Sequence, residues 1–335
     1  MISSFIDLKP FNTFGISAIC NEFAVFSDVS EIPEIMEQRK SNDILILGGG
    51  SNVLFTKDFQ GLVLKNELKG IEIIQEDKNN VIVKCGAGEQ WHAFVLSMIE
   101  ANYSGVENLS LIPGSVGASP MQNIGAYGVE IKDVFHQLEA YHLPTGEIHT
   151  FSKSDCAFGY RESVFKRALK NQYIITSVTF NLQKNGQINS SYGAIEAELE
   201  KMKISSPTIR DISNAVIAIR SSKLPDPSKL GNAGSFFKNP VIDSALLNEI
   251  LLKYPDAPHY PAGKEHVKMA AGWLIEKCGW KGKTIGNCGV HALQALVLVN
   301  HGNSTGQEIF NLSTEIIDDV KENFGVELER EVNII

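Results

Sequence analysis

Short apolar runs separated by glycine or polar turns fill the N-terminal third of the chain, a pattern typical of β-strands. They predict four strands, at residues 43–47, 62–65, 71–74 and 81–84. Two stretches repeat their apolar residues at helical spacing and predict helices over residues 30–40 and 89–102. Strands and helices therefore alternate early in the chain.

The middle of the chain changes character. Residues 106–129 are rich in glycine, serine and alanine and have neither strand nor helix periodicity, which predicts a long loop with a function of its own. Three strands are predicted after it, at residues 138–141, 147–151 and 173–182. The proline spacing at 223–227 predicts a domain boundary, followed by a more helical region.

The last helix is the clearest prediction in the sequence. Thr305 and Glu308 have the spacing of a capping box, and Gly325 is a stop signal. Its apolar side consists of Ile309, Leu312, Ile316, Val320 and Phe324. Residues 326–335 alternate in polarity and predict a closing strand. That strand would have an apolar face and an acidic face, with Val326, Leu328, Val332 and Ile334 on the first and Glu327, Glu329 and Glu331 on the second.

Length and composition describe an ordinary globular protein. The 335 residues suffice for about two domains, and 43% hydrophobic with 21% charged residues exclude a disordered or fibrous chain. Thirty-nine acidic against thirty basic residues give a net charge of -9, which disfavours non-specific binding to nucleic acid or anionic membranes. Any anionic ligand therefore needs a local site.

Cysteine and histidine spacing predicts neither disulfides nor a metal site. The five cysteines are scattered and never form C-x-x-C, so we expect reduced, mostly buried thiols. The eight histidines lack zinc-like spacing, and His291 is expected to be a structural residue with its hydrogen bonds satisfied. The first residues lack a targeting signal, and no apolar run reaches the ~18 residues of a membrane span, so we expect a cytoplasmic protein.

A glycine turn with the sequence GGGSN occupies residues 48–52, between two apolar runs. Free backbone N–H groups in such a turn form a concavity for an anion, and Ser51 and Asn52 add side-chain hydrogen bonds. A pyrophosphate would suit this turn. A plain strand-to-strand turn is the alternative.

Two common nucleotide-binding fingerprints are absent. Gly86 and Gly88 open a helix, but Trp91 occupies the position of the third glycine, so a Rossmann fold is disfavoured. The triplet 282–284 imitates the end of a phosphate loop, yet Lys277 stands where the first glycine is required. We therefore exclude a nucleoside-triphosphatase.

A second run of small residues, 113–128, contains more glycine and amide side chains than a turn needs. It combines Gly114, Gly117, Gly125 and Gly128 with Ser115, Ser119, Gln122 and Asn123. Two such runs indicate one long cofactor with a diphosphate and a polar ring, because these residues offer close backbone approach and hydrogen bonds to a ring edge.

The strings NLSLIPGSVGASPMQNIGAYG (108–128) and GGGSNVLF (48–55) resemble the UDP-N-acetylenolpyruvoylglucosamine reductase family, flavoenzymes of peptidoglycan precursor synthesis, and within it the type I members. Further motifs follow in the family's order and extend the resemblance over nearly the whole chain. They are GYRES (159–163), KLPDP (223–227), GNAGSFFKNP (231–240), AAGWLI (270–275) and LEREV (328–332).

The resemblance implies an α+β fold, with a two-part FAD-binding region of the PCMH/VAO type and a C-terminal α+β substrate-binding subdomain. The implied division is FAD-binding subdomain 1 at 1–67 with strand 332–335 returning to it, FAD-binding subdomain 2 at 68–221, the substrate-binding subdomain at 222–327, and a strand at 328–331 that bears the catalytic glutamate.

The resemblance also implies the reaction. The family reduces UDP-N-acetylenolpyruvoylglucosamine to UDP-N-acetylmuramate, with non-covalent FAD as cofactor and NADPH as co-substrate. Hydride passes from NADPH to the flavin and from flavin N5 to the vinyl carbon, after which the neighbouring carbon is protonated. We therefore expect small-molecule ligands only, no nucleic-acid, membrane or metal partner, and a monomer.

Three residues match the family's catalytic positions. Arg161 would hold the substrate carboxylate and stabilise the enolate, a role that suits a planar guanidinium. Ser235 would donate the proton, and Glu331 would help Arg161 to stabilise charge. Without the resemblance, the ordinary expectation is a surface arginine paired with Glu162 for Arg161, a turn or cap serine for Ser235, and a solvated edge residue for Glu331.

The resemblance assigns the other site residues in two sets. The FAD-binding set is Gly48, Gly49, Gly50, Ser51, Asn52, Val53, Pro113, Gly114, Ser115, Gly117, Ala118, Gln122, Asn123, Gly125, Ala126 and Tyr127. The nucleotide-sugar set is Tyr160, Tyr192, Lys223, Asn239, Tyr260, Lys268 and Gln294. Asn333 departs from the family, whose members often have a basic residue there, and this puts a charged contact to the flavin in doubt.

Two other functions stay open on the sequence. One is an FAD oxidase of the same broad fold that passes electrons to oxygen, and the catalytic trio argues against it. The other is a nucleotide-sugar sensor that has lost its flavin, and the intact glycine runs argue against that.

Overall fold

The computed structural model describes residues 1–335 and contains seven α-helices. They are α1 (Ile32–Gln38), α2 (Trp91–Glu100), α3 (Gly193–Lys201), α4 (Ile209–Lys223), α5 (Ser244–Lys253), α6 (Ala271–Lys277) and α7 (Gly306–Phe324). The two helices predicted early in the sequence are confirmed as α1 and α2. None of the seven is both long and apolar enough to cross a membrane.

Twelve strands precede α3. They are β1 (Ser3–Asp7), β2 (Ile19–Phe26), β3 (Ile44–Leu47), β4 (Val53–Leu54), β5 (Phe59–Asn66), β6 (Ile71–Glu76), β7 (Asn80–Gly86), β8 (Gly125–Ala126), β9 (Val129–Glu130), β10 (Phe135–His142), β11 (Ile148–Ser152) and β12 (Tyr173–Gln183). All seven strands predicted in this part of the chain are confirmed.

Eight short strands follow α4. They are β13 (Gly231–Ser235), β14 (Val241–Asp243), β15 (His259–Pro261), β16 (His266–Met269), β17 (Thr284–Ile285), β18 (Cys288–Val290), β19 (Val297–Asn300) and β20 (Asn333–Ile334). The prediction of a more helical region after residue 227 was therefore incomplete. Strands of two to five residues are too short to show a clear alternation.

The chain forms two compact units. The first comprises Met1–Ile6, Cys20–Gly49 and Gln60–Ser222, and the second comprises Asp7–Ile19, Gly50–Phe59 and Lys223–Ile335. The division into three subdomains that the resemblance implies stays a prediction.

The first unit is built on two sheets. One has the order β1-β2-β5-β3, with β3 and β5 parallel, and the other has the order β11-β10-β12-β7-β6 with antiparallel neighbours. Helix α2 packs its apolar face on the five-stranded sheet. The rings of Phe94 and Phe180 lie 4.7 Å apart, and those of Trp91 and Phe180 lie 5.9 Å apart. This packing places the start of α2 beside the long loop.

The loop at 106–129 contains only 3₁₀ turns at Glu107–Leu109 and Val116–Met121 and the two-stranded pair that β8 forms with β9. Its buried polar side chains make hydrogen bonds to backbone. Asn108 donates to the carbonyls of Tyr127 (3.1 Å) and Asn189 (3.0 Å), and Ser119 donates to Val116 (2.6 Å). These bonds satisfy the buried polar groups of a segment without regular structure.

The second unit contains the sheets β13-β19-β18-β17 and β14-β16-β15, and the parallel pair of β4 with β20. Helix α7 packs on β18, β19 and α6. Its capping box is confirmed, because Thr305 accepts from the Glu308 N–H and Glu308 accepts from the Thr305 N–H. Gly325 ends the helix at φ 66°, a conformation that favours glycine.

The predicted closing strand was wrong in extent. Only Asn333–Ile334 is a regular strand, and residues 326–332 pair with the rest of the unit through one isolated bridge, between Arg330 and Phe237. The alternation was nevertheless correct as a burial pattern. Val326, Leu328 and Val332 are buried, whereas Glu327 and Glu329 are exposed. We call residues 326–335 the closing segment.

The thiols follow the prediction. All five cysteines are free, and four of them are buried. Burial raises the pKa of Cys156 to about 12 and that of Cys278 to about 11. These side chains therefore stay protonated and unreactive at neutral pH.

Candidate active site

The two runs of small residues meet in the first unit. A Cβ atom at Gly49 would lie 2.8 Å from the Cα of Gly114, and one at Gly48 would collide with the hydroxyl of Ser115. Glycine is therefore needed at position 49 for the two backbones to approach each other, whereas a side chain at position 48 would displace the Ser115 hydroxyl. The space between Gly49 and Gly114 is therefore already filled by the protein itself.

The rest of the glycine turn belongs to the second unit and contacts the closing segment there. Gly50 adopts φ 61°, and a Cβ on it would lie 2.9 Å from the Cα of Asn12. The side chain of Asn52 donates to the carbonyl of Glu331 (3.3 Å), and the side chain of Asn333 donates to the carbonyl of Asn52 (2.9 Å). Asn333 thus contacts the predicted cofactor turn through a neutral amide.

The second run is held on the start of α2. Trp91 N–H donates to the carbonyl of Gly114 (3.0 Å), and Val116 N–H donates to Glu89 (2.8 Å). Asn123 is fully buried; its amide donates to the carbonyl of Gly159 (3.0 Å) and accepts from the Lys132 N–H (3.1 Å). Its side chain therefore supports the turn that precedes Arg161.

Arg161 occupies a strained turn. Residues 159 and 162 form an isolated bridge, and Arg161 lies at φ 53°, a conformation uncommon for a residue other than glycine. Its guanidinium donates to the carbonyl of Gly125 (2.7 Å) and lies 5.6 Å from the ring of Tyr160. Glu162 forms its ion pair with Arg167 at 2.6 Å. The turn therefore directs Arg161 towards β8 in the second glycine run.

A second arginine, Arg220 on α4, lies near Arg161 and was missed in the sequence. Its Nε donates to the carbonyl of Leu111 (3.3 Å), and its side chain also bonds to the hydroxyl of Tyr127. Burial lowers the pKa of Arg220, and the positive charge of Arg161 lowers it further. The two polar partners of Arg220, the Leu111 carbonyl and the Tyr127 hydroxyl, are neutral. An anionic ligand would therefore stabilise the guanidinium groups of Arg161 and Arg220.

Tyr127 and Tyr192 form an aromatic pair in the same unit. Their rings lie 5.4 Å apart and edge to face. Burial raises the pKa of Tyr127, which keeps its hydroxyl protonated. Tyr192 precedes α3 as its N-cap residue and is 45% exposed. The pair brings one residue of the predicted FAD-binding set into contact with one residue of the nucleotide-sugar set.

In the second unit, the backbone of Glu331 pairs with the residue that follows Ser235. Glu331 N–H donates to the carbonyl of Phe236 (2.8 Å), so the predicted acid lies across from the residue that follows the predicted proton donor. Gly234 precedes Ser235 at φ 69°, and β13 has a register shift between Asn232 and Ser235. Such a bulge redirects a side chain, and Ser235 is exposed at the end of its strand.

Four residues of the nucleotide-sugar set gather near the start of α6. Tyr260 and Lys268 are directly opposed on the antiparallel strands β15 and β16. The side chain of Asn239 accepts from the Ala271 N–H (3.0 Å), and the amide oxygen of Gln294 lies 3.2 Å from where a Cβ of Gly272 would be. Lys223, the last residue of α4, is exposed.

His291 differs from its prediction. Its Nδ1 is buried and has no hydrogen-bond partner, and burial lowers its pKa.

Three polar residues near the predicted sites were not predicted from the sequence, and they are Arg220, Lys238 and Arg330. Lys238 lies in the motif GNAGSFFKNP and Arg330 lies in the motif LEREV, so membership of a family motif could have drawn attention to both residues.

These features fit a flavin dinucleotide. The paired guanidinium groups of Arg161 and Arg220 suit an anion such as the diphosphate of that cofactor. The sixteen residues of the predicted FAD-binding set stay a prediction. Arg161 belongs to the first unit, and Ser235 and Glu331 belong to the second.

Comparisons with known proteins agree with this architecture. Residues 23–152 match the FAD binding domain, and residues 226–335 match the C-terminal domain of UDP-N-acetylenolpyruvoylglucosamine reductase. A curated reductase of that name from Flavobacterium johnsoniae is 54% identical over 335 residues, covering 100% of this chain and 99% of the relative. Its counterpart from Pseudomonas savastanoi pv. phaseolicola is 50% identical, covering 99% and 98% of the two chains.

A solved structure shares the fold. The crystal structure of UDP-N-acetylenolpyruvylglucosamine reductase from Thermus caldophilus covers 100% of this chain and 98% of that chain, with a TM-score of 0.68 and 22% sequence identity. This likeness concerns the fold alone.

An FAD-binding domain followed by a reductase C-terminal domain, on an α+β fold, defines an FAD-dependent oxidoreductase. The predicted fold class and the predicted cofactor FAD are thereby confirmed. The chain belongs to the UDP-N-acetylenolpyruvoylglucosamine reductase family, because its curated relatives are about half identical over their whole length.

Proposed function

We propose that this chain reduces UDP-N-acetylenolpyruvoylglucosamine to UDP-N-acetylmuramate with NADPH, in peptidoglycan precursor synthesis. The observation that supports the proposal is the hydrogen bond from Glu331 N–H to the carbonyl of Phe236, which links the backbone of the matched acid to the residue after the matched serine. The proposal is supported by the 54% identity to a curated reductase over the full chain. It includes a monomer that acts in the cytoplasm.

Bound FAD would supply the hydride that reaches the vinyl carbon of the substrate. Arg161 binds the carboxylate through parallel hydrogen bonds and stabilises the charge that spreads into it. The Ser235 hydroxyl donates a proton to the neighbouring carbon. Glu331 assists at the enolate with a hydrogen bond. The exposure of Ser235 at the bulged end of β13 supports its role, since a proton donor must be able to reach the substrate.

The nucleotide sugar is bound by seven residues in this proposal, Tyr160, Tyr192, Lys223, Asn239, Tyr260, Lys268 and Gln294. The two lysines would neutralise its diphosphate. The direct opposition of Tyr260 and Lys268 gives one aromatic surface beside one ammonium group. Asn239 and Gln294 already bond to the backbone near α6, so their amides are held in one orientation.

The test is anaerobic NADPH oxidation by the purified holoenzyme, with and without the enolpyruvyl nucleotide sugar. We expect a yellow protein whose NADPH consumption requires this substrate and yields UDP-N-acetylmuramate. Rapid reoxidation of the reduced protein by oxygen, but not by the substrate, would identify an oxidase instead. A colourless protein that FAD cannot reconstitute would identify a binding protein without catalysis.

A further inference from the structure

The segment that carries Glu331 has little regular backbone pairing. Residues 329–331 face residues 236–238 through an isolated bridge, in which Lys238 N–H donates to the Glu329 carbonyl (2.9 Å) and Glu331 N–H donates to the Phe236 carbonyl (2.8 Å). A single bridge is a weaker constraint than a strand inside a sheet. Side chains near Glu331 must therefore contribute to its placement.

Lys238 provides one such constraint. Its side chain is only 9% exposed, and its ammonium group lies 2.5 Å from the carboxylate of Glu329. The Glu329 side chain is 66% exposed, so loss of Glu329 would leave the Lys238 ammonium uncompensated, whereas loss of Lys238 would remove the link to the closing segment. The ion pair therefore joins the residue three positions after Ser235 to the residue two positions before Glu331.

Arg330 provides a second constraint on the other side of the segment. Its Nε donates to the hydroxyl of Ser313 (2.7 Å), and its NH2 group donates to the hydroxyl of Thr314 (2.6 Å). Its guanidinium carbon lies 4.4 Å from the centre of the Phe310 ring. All three partners lie on α7. Arg330 thus attaches the closing segment to the best-capped helix of the unit.

We propose that Lys238 and Arg330 are positioning residues that fix Glu331 beside Ser235. The Lys238–Glu329 pair attaches the segment to the run that follows Ser235, and Arg330 attaches it to α7. Together they restrain the backbone of Glu331 where pairing between strands is weak. The inference rests on the proposed function for the roles of Glu331 and Ser235. It assigns Lys238 and Arg330 no contact with substrate.

The consequence for the reaction is selective. Protonation and enolate stabilisation depend on Glu331 and Ser235, whereas reduction of the flavin by NADPH does not require them in the proposed mechanism. A misplacement of about 1 Å can cost about 100-fold in rate. Loosening the closing segment should therefore slow flavin reoxidation by the enolpyruvyl substrate and spare flavin reduction.

The experiment compares holoenzymes with Lys238→Met, Arg330→Met and a matched control, Lys321→Met. Lys321 pairs with Glu327 at 3.0 Å in the same region, but both side chains are exposed. In stopped-flow measurements we expect the first two variants to slow substrate-driven reoxidation at least ~10-fold, with NADPH-driven reduction within about twofold of the wild type. The control should match the wild type in both half-reactions. Lys238→Arg, which retains the charge, should recover most of the lost rate.

A second readout does not depend on turnover. Hydrogen exchange followed by mass spectrometry should show faster exchange of the closing-segment peptide in Lys238→Met and Arg330→Met, and unchanged exchange in the control. If the wild type fails to reduce the substrate, the proposed function falls, and exchange still tests the restraint on Glu331. Unchanged exchange, unchanged reoxidation, or equal slowing of both half-reactions would overturn the inference. If Lys238→Met does not fold, Glu329→Gln tests the same pair.

Discussion

Gly49 is required for a different reason from the one that the sequence indicated. The sequence indicated close approach of backbone to a ligand. In the structure the nearest neighbour is Gly114, and any Cβ at Gly49 would be too close to its Cα. Backbone packing between the two runs therefore already requires glycine, and ligand access comes in addition. These two reasons can be distinguished only when the residue packed against Gly49 is known, and the local sequence does not show that this residue is Gly114.

Ser235 is the residue whose chemistry can be isolated most cleanly. Ser235→Ala removes the proposed proton donor and should slow flavin reoxidation by the enolpyruvyl substrate by ~100-fold or more, the usual contribution of a general acid. Reduction by NADPH should stay within about twofold of the wild type, because that step needs no proton from Ser235. Both rates are measured by anaerobic stopped-flow absorbance of the flavin.

The control for this prediction is Ser244→Ala. Ser244 begins α5 and bonds to the carbonyl of Glu265, so it is a serine of the same unit without a catalytic assignment. It should leave both half-reactions unchanged. Equal losses in the two half-reactions of Ser235→Ala would show that the serine has a structural role instead.

Among the elements, α7 was predicted almost completely. Its cap, its apolar side and its terminal glycine are local signals, and each concerns residues within one or two turns. The closing segment was harder to predict. Alternating polarity reports which side chains are buried, but hydrogen-bonded pairing depends on a partner strand, and only Asn333–Ile334 finds one, in β4.

Thr305→Ala should destabilise the protein by about 1 kcal/mol, because it removes the acceptor for the Glu308 N–H at the start of α7. The free energy of unfolding is measured by denaturant titration of the holoenzyme. Thr305→Ser keeps the hydroxyl and should stay close to the wild type. A Thr305→Ala protein as stable as Thr305→Ser would mean that the cap does not contribute.

On the scale of the whole molecule, cofactor binding should be visible as stability. At an FAD concentration about 100 times its dissociation constant, binding to the folded state adds roughly 2.7 kcal/mol, which corresponds to roughly 4 °C in the unfolding midpoint of a chain of this length. Calorimetry of the apoprotein with increasing FAD measures this shift. FMN, which lacks the adenylate half, should shift the midpoint less. A midpoint that does not respond to FAD would contradict the assignment of the two glycine runs as a dinucleotide site.

The sequence by itself determined the features that depend on short stretches of chain. These include the strands of the first unit, α1, α2 and α7, the buried thiols, and the motifs that led to the family. Only the tertiary structure decided which distant residues meet. The contact of Gly49 with Gly114 and the bond from Glu331 to Phe236 join segments far apart in sequence. Local periodicity reports which side of an element is buried, whereas the partner of a buried or charged group is selected by packing and charge compensation across the fold.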